Sequence, residues 1–477
     1  MTKPPNLSVE GFSAESRALL AIALPLTGTY ITETVMPLGN TMIVGRLGTD
    51  ALAGVGLASN LLLYLLVVGI DIVGISSVLM AESVGSGDGE KLSITVSQSL
   101  WLATVLSIPA TILCWELPEI LGVLKEPREI IGPVRLYLHS AAWCILPTLW
   151  MAVIRSFAAA IGKTRPIMVV SAVSVGVNLA LCYVLVFGAM GIPPQGVLGA
   201  GLARSATGIL TLIVMVVYVH RSEEMGSYRP FRGLLRQRLD GWFQILRLGL
   251  PAAGFTLIEN GLFSAVGVLV GFVGASALAA SQIGLAAIEF GVMIAFAIGD
   301  AATVRIGLWA GRNDPDGMRR SGRTALLLGS VAMLLVGVAL WANARRIVGL
   351  FINPAQAENY ETVALAIQYL GIAAIFQVFD GLQVIGTRAL WGLKDTITPV
   401  WVAVIGFWLV GIGNGCVFAF LFKLGGVGLW WGLATGLATT SVLVVWRFEI
   451  QARTLTWRCE KPGLTRLDGD SAHPAIG

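Results

Sequence analysis

Five carboxylates stand well inside long apolar runs of the chain: Glu33, Asp71, Glu259, Glu289 and Asp380. Placing one at the centre of a bilayer costs roughly 2.5–3.5 kcal/mol on insertion scales. A group kept there against that cost binds something, carries a proton, or is held by a partner. The chemistry open to it is capture of a proton, of Na+ or of an organic cation. A carboxyl withdrawn from water favours its neutral form, which suits reversible protonation. The competing account is a structural carboxylate, protonated or hydrogen-bonded to a neighbouring helix.

Glu259 is the sharpest case. It lies in GLPAAGFTLIENGLF, residues 249–263, and the chain stays apolar beyond it. Asp380 has company at helical spacing. Tyr369, Phe376, Gln377, Asp380, Gln383 and Thr387 recur at steps of three, four or seven, so they form one stripe on one face. An aromatic and amide stripe around a carboxylate suits a cavity wall for a flat organic cation. It equally suits a helix–helix seam held by side-chain hydrogen bonds. Glu33 and Asn40 are seven apart, hence on nearly one face, with Pro37 between them. Pro25, Pro37 and Pro251 each free a carbonyl and permit a kink. His139, alone in its span, reads as a hydrogen-bonded core residue.

Other chemistries lack their residues. Gly162-Lys163-Thr164 looks like the tail of a phosphate-binding loop, but the upstream glycine that loop needs is Phe157. Three histidines and five scattered cysteines offer no zinc set and no CxxC pair. Gly199-Ala200-Gly201 opens an apolar run, which weakens a dinucleotide reading. No cofactor and no enzyme activity are expected. Without an ATP site, uphill transport needs an ion gradient.

The elements that would position these acids are legible from composition. Of 477 residues, 56% are hydrophobic and 13% charged, with a mean hydropathy of +0.79. Soluble chains carry about 25% charge, so this chain belongs in a bilayer. A spanning helix needs about 20 apolar residues, and twelve runs fit: 16–42, 51–80, 93–116, 132–157, 167–188, 198–219, 243–271, 277–305, 324–343, 362–389, 398–421 and 427–448. No cleavable leader is expected ahead of the first. Most of the 32 Lys and Arg fall on one side, including Lys163, Arg165, Arg229, Arg232, Arg236, Arg238, Arg312, Arg319, Arg320 and Arg323. The tail adds Arg447, Arg453, Arg458, Lys461 and Arg466. The positive-inside rule makes that side, and with it both termini, cytoplasmic. The basic loop then needs no nucleic-acid partner.

The chain also repeats. A shift of 226 residues lays Leu24-Pro25 on Leu250-Pro251, Gly48 on Gly274, Ala51-Leu52-Ala53 on Ala277-Leu278-Ala279, Gly85 on Gly311 and Glu33 on Glu259. Each half holds six spans, so the halves run in parallel about an axis along the membrane normal, a plan that places substrate and ion sites near the midplane. The expected organisation is an all-α integral membrane protein of twelve transmembrane helices in two pseudo-symmetric lobes. It comprises a tail 1–15, an N-lobe 16–220, a linker 221–242, a C-lobe 243–449 and a tail 450–477.

With those residues in hand, the chain resembles the multidrug and toxic compound extrusion (MATE) transporters over about residues 20–450. The resemblance rests on ALPLTGTYITETVMPLGNTMIVGRLG, on LGLPAAGFTLIENGLFSAVGVLVGFVGASALAASQIG, on ATVRIGLWAG and on FQVFDGLQVIGTRALWGLKDTITP. It implies two six-helix lobes around a cleft and export of cationic, often aromatic compounds in exchange for Na+ or H+. It implies that Glu259 and Asp380 carry the coupling cation, with Tyr369, Phe376, Gln377, Gln383 and Glu289 toward the substrate cavity. It further implies a bacterial inner-membrane location, and two fused lobes fit a monomer.

The chain departs from the family in the first lobe. Asn40 stands where an aspartate is usual, and Cys182 stands where some members carry an acid, four residues after Asn178. That leaves Glu33, the repeat counterpart of Glu259, as the candidate N-lobe carboxylate, with Asn40, Asp71 and Asn178 around it. A lipid-linked oligosaccharide flippase and a metabolite or siderophore exporter are the alternatives within the same superfamily. A pyrophosphate headgroup would call for Arg or Lys in the cleft, where this chain offers acids.

Overall fold

Backbone in hydrocarbon must satisfy every N–H and C=O within its own segment, and for this composition helices do so. The computed structural model describes residues 11–123, 128–189, 191–232 and 239–460. The basic residues Arg236, Arg238, Lys461 and Arg466 lie outside the described residues, as do the first ten residues and the side chains of Arg458 and Cys459. Among the described residues, twelve helices are long and apolar enough to cross a membrane: α1 Phe12–Leu47, α2 Thr49–Gly85, α3 Gly89–Val123, α4 Glu129–Ala160, α5 Arg165–Phe187, α6 Gly196–Arg221, α7 Gly241–Val273, α8 Ala275–Gly311, α9 Pro315–Phe351, α10 Ala357–Gly392, α11 Ile397–Leu421 and α12 Gly425–Thr454. Twelve crossings return the chain to the side on which it began. That side is the terminal side of the bundle.

The helices run past their apolar windows where a partner holds the polar extension. α9 is the widest departure, 37 residues against the expected 324–343. Its start is set by Asp314, whose Oδ1 accepts from the Gly317 N–H at 2.9 Å, with Pro315 in the first turn. Its charged first turns are held by α12, where Arg323 meets Glu449 at 2.7 Å on both carboxylate oxygens. α11 departs differently. Its turns widen over Val404–Ile412 and Val417–Leu421, and Gly411 and Gly415 lie against Gly436 and Gly432 of α12. Small residues let the two backbones approach closely.

The two halves form two lobes. In the C-lobe α10 is central, packed on α8, α9 and α12; in the N-lobe α1 and α6 flank α5. The repeat shows in the backbone. Gly48 between α1 and α2 and Gly274 between α7 and α8 are equivalent positions, and both take positive φ, +124° and +154°. Only glycine adopts those values without strain.

The lobes meet through α1 against α8, α7 against α2, and the last turns of α2 against α8. These contacts concentrate toward the terminal side. There the buried Glu15 of α1 takes a bidentate pair from Arg305 of α8 and a hydroxyl from Ser321 of α9. Glu82 of α2 pairs with Lys394 after α10. Tyr64 and Ser264, 3.5 Å apart, mark a cross-lobe contact farther out along α2 and α7.

Candidate functional site

α7 carries Glu259 near its middle, two turns after Pro251. Its polar neighbours satisfy themselves on their own helix: Thr256 donates to the Ala252 carbonyl at 3.4 Å and Asn260 to that of Thr256 at 2.9 Å. Glu259 is left half-buried, facing other elements. The charged and polar groups around it are Asp380, Gln383 and Arg388 of α10 and Asp71 of α2. Asp380 is 3% exposed. Both amide atoms of Gln383 and Oδ2 of Asp71 are buried without a hydrogen-bond partner. Unpaired buried polar atoms are costly and uncommon, and here they gather around one carboxylate. The structure thus brings together Glu259, Asp380, Gln383 and Asp71, the last from the opposite lobe.

Arg388 lies two turns beyond Asp380. Its guanidinium pairs with Asp300 of α8 and rests over the rings of Phe296, 4.7 Å away, and Trp391, 5.6 Å away. The other oxygen of Asp300 accepts the hydroxyl of Tyr30, which comes from α1 of the N-lobe. The Tyr30 ring in turn lies beneath Arg155 of α4, at 5.1 Å. Arg155 closes the chain on Glu33, with 3.0 and 3.2 Å to the two carboxylate oxygens. A polar path therefore runs from Glu33 through Arg155, Tyr30 and Asp300 to Arg388, whose charge reaches Glu259. It carries five carboxylates with Asp71 and Asp380, against two guanidinium groups.

Two expectations change here. Of the two accounts open for a mid-span acid, Glu33 takes the partnered one: it is ion-paired within its own lobe. An arginine near a span end reaches inward by its long side chain, which spacing along one helix does not reveal. The aromatic part of the α10 stripe is not an open wall either. Tyr369 and Phe376 are fully buried against Trp430 of α12, Tyr369 stacked on its ring at 5.0 Å and Phe376 tilted toward it at 5.9 Å. Gln377 is also buried and donates toward the Met333 sulfur at 3.6 Å. Trp430 fills the space the cavity reading left empty, so Tyr369, Phe376 and Gln377 form a helix–helix seam in this conformation.

The remaining candidates lie apart. Glu289 is exposed on α8, and it shares a face with Phe296 and Asp300 at steps of seven and four. That face looks toward Tyr30 and the other lobe. Asn178 is buried and donates to Thr207 at 3.3 Å. Asn40 is 3% exposed with both amide atoms unpaired. His139 is exposed and bonds the Trp115 carbonyl at 3.1 Å, so it is not a core residue. Sequence reasoning passed over Asp300 and Tyr30. Asp300 sat close to the expected end of its span, and Tyr30 carries no charge; the signal available was its spacing of three from Glu33.

Two six-helix lobes with charged groups at mid-span and a polar path across the boundary are an arrangement that suits membrane transport. Residues 25–184 and 251–416 match the MatE family. A probable multidrug resistance protein NorM of Mesorhizobium japonicum is 35% identical over 436 residues, covering 91% of this chain and 93% of that protein. The multidrug resistance protein NorM of Burkholderia vietnamiensis is 35% identical over 453 residues, covering 95% and 96%. The fold matches the eukaryotic MATE transporter AtDTX14 with a TM-score of 0.81 at 22% identity, covering 94% of this chain and all of that one. It also matches an outward-facing multidrug resistance MATE family transporter, with a TM-score of 0.82 at 18% identity, covering 93% and 97%. The chain belongs to the MATE family of multidrug and toxic compound extrusion transporters and is a multi-pass membrane protein.

Proposed function

We propose that the protein exports cationic, amphiphilic organic compounds in exchange for Na+ or H+, by rocking of its two lobes. The observation that carries this is Glu259. It lies at mid-span without an ion pair, faces Asp380 and Asp71, and belongs to a network with more acids than bases. Such a site attracts a cation and releases it when another takes its place. The names of the NorM relatives, multidrug resistance proteins, support the same reading for this chain.

The termini are cytoplasmic in this reading and the membrane is the bacterial inner membrane. The contacts at Glu15–Arg305 and Glu82–Lys394 then close the cleft to the cytoplasm. Na+ or H+ reaching Glu259 and Asp380 from outside favours release of the organic cation. Loss of the ion resets the lobes toward the cytoplasm. Oxygen ligands suit Na+ and buried carboxyls suit H+, and both ions require the same two residues. The excess of acids disfavours a pyrophosphate-bearing lipid as cargo. No cofactor takes part, and the working unit is one chain.

The test is ethidium efflux from cells expressing wild type or Glu259→Gln at matched membrane levels. The expected result is efflux by wild type and its loss in the variant. Equal efflux from both would show that Glu259 is a structural carboxylate and overturn the reading.

A further inference from the structure

The internal repeat supplies a control inside the molecule. Glu33 and Glu259 are counterparts under the 226-residue shift. Their arginines correspond as well: Arg155 and Arg388 each stand eleven residues ahead of a proline, Pro166 and Pro399, that opens the next span. Yet the two lobes wire these pairs differently. In the N-lobe Arg155 sits on Glu33. In the C-lobe Arg388 acts on Glu259 only from a distance and makes its ion pair with Asp300.

The residue that differs is at the third corner. The same ungapped shift places Asp300 on Gly74. At the position where the C-lobe has a carboxylate the N-lobe has no side chain, and its nearest acid on that helix, Asp71, stands one turn earlier. We propose that Asp300 is a positioning residue that diverts Arg388 from Glu259, and so decides which of two equivalent acids is left free to take a cation. Tyr30 belongs to the device. It donates to the second oxygen of Asp300 from the opposite lobe, so Asp300 is held in place while the lobes are closed at the terminal side. Without Asp300, Arg388 falls onto Glu259 as Arg155 does onto Glu33, and a tethered guanidinium occupies the place of the mobile cation. The inference rests on the cation role proposed for Glu259.

The N-lobe can be rebuilt in the same sense. A Cβ on Gly74 would meet nothing within 4 Å, so Gly74→Asp has room to form. It would draw Arg155 away and free Glu33.

Dicyclohexylcarbodiimide provides a readout independent of transport. It is a lipid-soluble reagent that modifies buried carboxyl groups not held in ion pairs. Purified full-length protein would be labelled in detergent and the adducts located by peptide mass spectrometry. Wild type should be modified at Glu259 and spared at Glu33. Asp300→Gly should lose the Glu259 adduct, and adding Arg388→Gln should restore it. Gly74→Asp should gain an adduct at Glu33, which keeps the test open if Asp300→Gly does not fold. An unchanged Glu259 adduct in Asp300→Gly overturns the proposal. So does loss of reactivity at Asp71 in place of Glu259, because Arg388 would then have turned to α2. Efflux separates the two ideas: normal export by Glu259→Gln removes the cation role, whereas the labelling pattern alone decides the diversion.

Discussion

Gly85 of α2 and Gly311 of α8 lie back to back at the terminal side, with no space for a Cβ on either. A side chain on Gly85 would run into the Leu308 carbonyl, and one on Gly311 into that of Glu82. Gly85 and Gly311 are equivalent in the repeat, and so are Glu82 and Leu308. The crossing therefore repeats itself about the axis between the lobes, and it places rigid backbone on both sides of the contact.

Gly85→Val should wedge this contact open. Overpacking a tight site costs about 1–3 kcal/mol, enough to shift the closed fraction by roughly one to two decades. Efflux should fall while membrane expression holds. Spin labels at Glu90 and Asp316, both exposed at the terminal side, should show a longer distance than in the otherwise unchanged protein. An unaltered distance distribution would falsify the role of this crossing in closure.

Glu15 and Arg305 form a buried pair, 0% and 4% exposed, whose members come from different lobes. Removing one partner of such a pair strands a buried charge and costs about 3–5 kcal/mol. Glu15→Ala should lower the melting temperature in detergent clearly. Glu15→Ala with Arg305→Leu should recover part of the loss, since the stranded charge is gone. Equal melting of the single variant and wild type would mean that Glu15 is reached by solvent.

Trp430 joins Tyr369 and Phe376 in one aromatic block and donates to Ser281 at 3.3 Å. Truncating a buried aromatic costs about 3–5 kcal/mol. Trp430→Ala should reduce stability and yield, with the concentration dependence of ethidium efflux unchanged in whatever protein folds. A stable variant with altered drug preference would instead restore the cavity-wall reading of the α10 stripe.

Asp380→Asn and Glu33→Gln should separate the two acid sites. Asp380 is buried in the same cluster as Glu259, so its neutral variant should lose ion-dependent efflux. Glu33 is half-exposed and already paired with Arg155, itself only 15% exposed, so the place a coupling ion would take is filled by a guanidinium. Its variant should keep both the rate and the ion dependence of efflux, measured with Na+ and pH gradients imposed separately. Loss of ion dependence in Glu33→Gln would make the N-lobe acid a coupling residue.

The amino-acid sequence by itself determined the helical architecture. The twelve spans, the parallel repeat and the mid-span acids Glu259 and Asp380 were all legible in it. The physical reason is locality: in hydrocarbon each span must close its own backbone hydrogen bonds, so length and hydropathy suffice to find it. An acid against that background is conspicuous in any window. Tertiary structure alone decided which charges meet. Glu33 finds Arg155 122 residues away, and Tyr30 finds Asp300 270 residues away in the other lobe. Such pairings depend on how helix faces are turned and how closely small residues such as Gly85 and Gly311 let them approach. No periodicity within one helix records that. The same holds for the α10 stripe, whose spacing fits a cavity and a seam alike until Trp430 is placed against it.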